Sequence, residues 1–135
     1  MGELPSINIV HAIACDDIRQ EMNGKFILIG VYGGNMGLPF FPTQIPLAFW
    51  MSAEPSKEGD YHIQFRITAP GANPMTLQGQ MTLHIEENTA LVLPPMPVAV
   101  GTPGDITIEY REGDRPWRQI CRLQARLVPS PTPPA

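Results

Sequence analysis

The sequence predicts an all-β protein, an antiparallel two-layer β-sandwich of about eight strands. Three observations carry this. Sixteen prolines in 135 residues are hard to place in helices, because each removes a backbone donor and clashes with the preceding turn. Apolar residues recur at period two rather than 3.6 over most of the chain. Gly, Pro, Asn and Asp corners separate these segments, whose starts fall roughly 12–20 residues apart. One sheet could not cover its own apolar face, so two layers are required.

The elements follow in order. Ile7 to Cys15 is largely apolar and β-branched at Ile7, Ile9, Val10 and Ile13. Asp16 to Asn23 is the one candidate for a helical turn. Asn23-Gly24 is the strongest short hairpin signal, and Lys25 to Val31 follows it as a nearly continuous apolar run. Ile45 to Ala53 is apolar and aromatic, too short for a typical helix, with Pro46 near its start where a missing donor is tolerated.

Asp60 to Ala69 alternates cleanly, with Tyr61, Ile63, Phe65 and Ile67 opposite His62, Gln64, Arg66 and Thr68. Thr76 to Ile85 alternates as well. Ala90 to Val100 is broken by Pro94, Pro95 and Pro97, which confines it to an edge or a bulge. Asp105 to Arg111 and Trp117 to Val128 complete the set. Residues 1–128 read as one domain, and the proline-rich Pro129 to Ala135 as an extended tail.

Charge narrows the function classes. Nine Lys and Arg against 13 Asp and Glu give a net charge of −4, the wrong sign for a surface that displaces counterions from phosphates. No nucleic-acid partner is expected. Cys15 and Cys121 lack the spacing of a zinc or redox motif and read as buried thiols. Met1-Gly2 and the Ala14-Cys15 box loosely fit lipidation signals, but no apolar stretch with a basic leader precedes Cys15. No apolar run approaches the ~20 residues of a membrane helix, so the expectation is a cytoplasmic protein with little affinity for membranes.

Catalytic patterns are lacking. His11, His62 and His84 lie in expected strands, and His11 and Cys15, four residues apart, would stand ~13 Å apart in a strand. No nucleophile elbow, phosphate loop or HExxH motif occurs. The expectation is a protein that is not an enzyme and carries no cofactor; a small hydrolase with a Cys–His site is the less favoured reading.

If eight strands alternate in direction, the loops sort into two ends. One collects Asp16, Asp17, Glu21, Glu54, Glu58, Asp60, Glu86, Glu87, Glu112 and Asp114. Of these, Asp16, Asp17, Glu112 and Asp114 are the best candidates for calcium, set against a salt-bridged rim formed with Arg19, Arg111 and Arg115. The other end carries no charge but holds Met36, Leu38, Phe40 and Phe41. Those four are a contact surface for a protein partner or a second copy, unless Leu38, Phe40 and Phe41 fold back as a plug over the end of the sandwich.

The run Ala14-Cys15-Asp16-Asp17-Ile18-Arg19-Gln20-Glu21, then Asn23-Gly24-Lys25, then Gly30-Val31-Tyr32, resembles the opening of a bacterial and phage-associated family of small β-rich proteins of unknown function. The resemblance implies a C2-like or immunoglobulin-like sandwich and brings no catalytic residues with it. On physical grounds the same run reads as an ordered connection: the aspartates cap a turn, Arg19 pairs with one of them, and Asn23-Gly24 turns the chain. The expected function is a binding or assembly module working through protein–protein contacts, with a C2-like calcium and membrane module as the alternative.

Overall fold

In the computed structural model, which describes residues 7–83 and 89–128, nine strands are found among the described residues and no helix. They are β1 (Ile7–Gln20), β2 (Phe26–Val31), β3 (Asn35–Leu38), β4 (Thr43–Pro55), β5 (Gly59–Thr68), β6 (Met75–Leu83), β7 (Thr89–Val100), β8 (Gly104–Glu112) and β9 (Arg118–Leu127). A four-stranded sheet has the order β2-β1-β4-β7, and a five-stranded sheet the order β3-β9-β8-β5-β6. The tail from Pro129, His84 and the acids Glu86 and Glu87 lie outside the described residues.

The core lies between the sheets and follows the period-two pattern. Ile45, Leu47, Phe49, Met51 and Ala53 point inward from β4 to meet Tyr61, Ile63, Phe65 and Ile67 of β5 and Ile106, Ile108 and Tyr110 of β8. The proline-broken segment is an edge strand, β7, as its missing donors require.

Two expectations need correction. Asp16 to Asn23 is not a helical turn: β1 runs on to Gln20, where Asp17, Ile18 and Arg19 pair with Ile29, Leu28 and Ile27. Asp17 Oδ1 accepts the adjacent Ile18 N–H at 2.9 Å, a local bond that competes with helix formation. Nor is every pair antiparallel, because β3 runs parallel to β9 from Asn35↔Gln124 to Leu38↔Leu127.

The hairpin turn also differs in type. Gly24 N–H donates to Glu21 O at 3.0 Å and Glu21 N–H to Lys25 O at 2.7 Å. Gly24 has φ +88°, whereas no non-glycine residue among the described residues, Asn23 included, has positive φ. That excludes a two-residue type I′ turn and gives a type I turn closed by a left-handed glycine.

One polar clamp ties the sheets together at the start of β1. Ile7 lies opposite Pro55, which has no N–H to give the Ile7 carbonyl. The Tyr110 hydroxyl donates to that carbonyl at 3.1 Å, while Glu112 Oε1 accepts the Ile7 N–H at 2.5 Å. Glu112 is buried, and its Oε2 has no hydrogen-bond partner among the described residues. Glu112→Ala strands a buried donor and is expected to cost about 1–3 kcal/mol. Glu112→Gln keeps an acceptor and should cost less; urea midpoints of the two variants check the order.

Candidate functional site

Strand directions alternate through all nine strands, as the pairings and the Ile7–Glu112 contact require. The extra strand β3 therefore moves the first connection to the opposite end and leaves the other described loops sorted as expected. The Met22–Gly24 turn joins the end that holds loops 39–42 and 101–103, away from loops 56–58 and 113–117. The four calcium candidates are accordingly separated. Glu112 sits beside Ile7, and Asp16 lies nine residues further along β1, about 30 Å at ~3.3 Å per residue. No group of three or more His, Cys, Asp or Glu side chains positioned for a metal occurs among the described residues.

Asp16 and Asp17 have structural occupations instead. Asp16 Oδ1 accepts the Tyr32 hydroxyl at 2.6 Å, and Asp17 pairs with Arg19 at 3.4 Å on the surface. Gly30 has φ +69° and lies under Asp16, whose Cγ would stand 2.8 Å from a Cβ placed there. The run from Cys15 through Tyr32 thus forms a clip in which the aspartate of one strand lies over the glycine of the next. Burial, and then the hydrogen bond to Asp16, push the Tyr32 phenol well above its ordinary range. Gly30→Ala is expected to cost about 2 kcal/mol through left-handed backbone and the carboxylate contact. Combined with Asp16→Ala it should cost less than the two single losses added, a coupling that a double-mutant cycle in urea measures.

The four residues of the uncharged end do not form one surface. Met36 and Leu38 are buried in the core from β3, Phe41 is half-buried against it, and only Phe40, 60% exposed, faces outward. Of the three residues of the plug reading, Leu38 and Phe41 turn inward and Phe40 does not. β3 lies on β9 and turns Met36 and Leu38 inward.

Among the described residues, Cys15 is not brought together with His11 or His62. Cys15 is fully buried on the four-stranded sheet, and burial, partly opposed by a hydrogen bond to the Asp17 backbone, holds its thiol above the usual value. His11 is exposed on the same sheet, whereas His62 belongs to the other. His62 lines a shallow cleft of about 420 Å³ with Asp60, Tyr61, Glu112, Gly113, Asp114 and Arg115. Among the described residues, no cysteine, serine or threonine lines that cleft.

The pronounced asymmetry lies across the sheets rather than along them. On the outside of the five-stranded sheet the residues are polar. Arg66 pairs with Glu109 at 2.9 Å, and Arg111 donates to Gln64 at 2.5 Å. The two guanidinium groups stand 4.3 and 4.5 Å from the centre of the Trp117 ring. The outside of the four-stranded sheet is built differently. Since Ala14 and Phe49 face the core, their neighbours Ile13, Cys15, Ala48 and Trp50 face out, with Val92 beside Trp50.

None of these five outward residues belongs to the inter-sheet core, yet Cys15 and Ala48 are fully buried and the other three half-buried. They form a second apolar layer. The pairs Cys15↔Val31, Asp17↔Ile29 and Arg19↔Ile27 extend that layer onto β2, where Ile27, Ile29 and Val31 are 43%, 42% and 56% exposed. Trp50 Nε1, buried within the layer, has no hydrogen-bond partner among the described residues. The sequence carried a sign of this face: Phe26–Val31 and Ile45–Met51 are continuous apolar runs, the pattern of strands with both faces covered.

The chain is therefore a two-layer β-sandwich with a polar outer face on one sheet and, on the other, an apolar stripe bordered by His11, Asp17 and Arg19. It belongs to the DUF6941 family, a family of unknown function, whose family model matches residues 10–121. No curated protein matches it. Among solved structures it is similar to a β-glucosidase, EmGH1 of Erythrobacter marinus, with a TM-score of 0.43 and 12% identity over 90% of this chain and 16% of that one.

Proposed function

We propose that this protein is a non-enzymatic binding or assembly module whose protein-docking surface is the outer face of the four-stranded sheet at β1 and β2. The carrying observation is the second apolar layer, with Ile27, Ile29 and Val31 at its open margin. A contiguous apolar face on one side only is the usual mark of a contact surface. Covering the exposed half of each of these three side chains is worth about 1 kcal/mol apiece.

The strand arrangement favours an immunoglobulin-like sandwich. With β1, β4 and β7 read as strands A, B and E, and β5, β8 and β9 as C, F and G, the orders A-B-E and C-F-G follow. In that frame β2 is an addition, attached at the margin where the apolar stripe lies.

The double variant Ile27→Lys/Val31→Lys is expected to abolish every protein contact that cross-linking of the intact protein in its host cells detects. Gln78→Lys/Gln80→Lys, on the polar sheet, should leave those contacts in place. The opposite pattern contradicts the reading.

A further inference from the structure

The four sheet edges are not alike. β7 carries Pro94, Pro95 and Pro97, β3 is only four residues long, and β6 presents Thr76, Gln78 and Gln80. Prolines, short strands and polar side chains are the usual devices that prevent edge-to-edge pairing. β2 has none of them. It contains no proline and no charge, its side chains are apolar on both faces, and among the described residues it pairs with β1 alone.

We propose that β2 pairs antiparallel with β2 of a second copy of this chain, joining the two four-stranded sheets into one. The inference rests on the docking reading and names its partner. A two-fold axis at Ile29 keeps every outward side chain opposite another outward one. Ile29 then meets Ile29 of the second copy, and Ile27 meets its Val31, so the exposed stripe is covered by its own equivalent.

The charges fit the same arrangement. Asp17 and Arg19 lie beside Ile29 and Ile27 on β1 and pair with each other, which gives an apolar centre with a charged rim. The two copies of Asp17 end up three strand spacings apart, about 14 Å, beyond the ~8 Å screening length at physiological salt. A pairing of six-residue strands is smaller than the roughly 1,200–2,000 Å² of a standard stable interface. The dimer is therefore reversible and concentration-dependent.

Sedimentation of the full chain over a roughly hundred-fold range of concentration tests this. Wild type should pass from the mass of one copy to that of two, while Ile29→Lys should keep the mass of one copy with an unchanged far-ultraviolet spectrum. Mild oxidation supplies a position-specific check in a Cys121→Ser background: Ile29→Cys should cross-link to its own copy and Gln78→Cys should not. A wild type that stays at one copy throughout overturns the proposal, as does a dimer that Ile29→Lys leaves intact or that fails to cross-link through Ile29→Cys. If wild type stays at one copy while the Ile27→Lys/Val31→Lys variant still loses its contacts in cells, the docking reading stands and self-pairing is wrong. Loss of neither association nor contacts removes both.

Discussion

Phe49→Ala is expected to destabilise the fold by about 3–5 kcal/mol, the usual cost of deleting a buried phenylalanine. Phe49 is fully buried on the inner face of β4, with Ala14 of β1 on one side and Leu93 of β7 on the other. β4 is an interior strand of its sheet, so a cavity there has little room to collapse. Against a total stability of about 5–15 kcal/mol for a domain, the loss should leave a large unfolded population at moderate temperature. Its neighbour Trp50 gives the control. It lies on the same strand but in the outer layer, away from the inter-sheet core, so Trp50→Ala should cost distinctly less. Urea denaturation of both variants measures the gap, and equal losses would mean that the two faces of β4 are not the different environments described.

Ile29→Lys is expected to do the reverse, leaving stability within about 1 kcal/mol and removing association. At an edge position already 42% exposed, a lysine keeps its ammonium in water and lays its stem on the sheet. The monomer tolerates it for that reason. Paired with a second copy, two ammonium groups would meet across the axis in place of two isoleucines, so desolvation and like-charge repulsion both oppose the contact. Association should weaken by at least about tenfold, equivalent to ~1.4 kcal/mol. Melting temperature and sedimentation, run on the same samples, separate the two effects.

Much of the fold was legible because period-two alternation is a direct image of a half-buried strand. Tyr61, Ile63, Phe65 and Ile67 face the core as their spacing requires, and Pro94, Pro95 and Pro97 mark an edge. β3 was missed for a physical reason. Met36 and Leu38 do alternate, but Gly33, Gly34, Gly37 and Pro39 around them read as a loop, and the pairing that makes a strand of them comes from β9, some 90 residues away. Without β3 the first turn falls at the wrong end of the sandwich, which is what brings the supposed calcium acids together on paper. The apolar outer face was written in the unalternating runs of β2 and β4, where continuity identified the strands but not the second surface they cover.

Amide hydrogen exchange across β2, followed as the protein is concentrated, tests the central claim most directly. Pairing through β2 predicts that exchange slows within Phe26–Val31 as concentration rises, while β6, the long edge of the other sheet, keeps the same rates. Exchange in Phe26–Val31 that does not depend on concentration, or protection that develops on β6 instead, would contradict it.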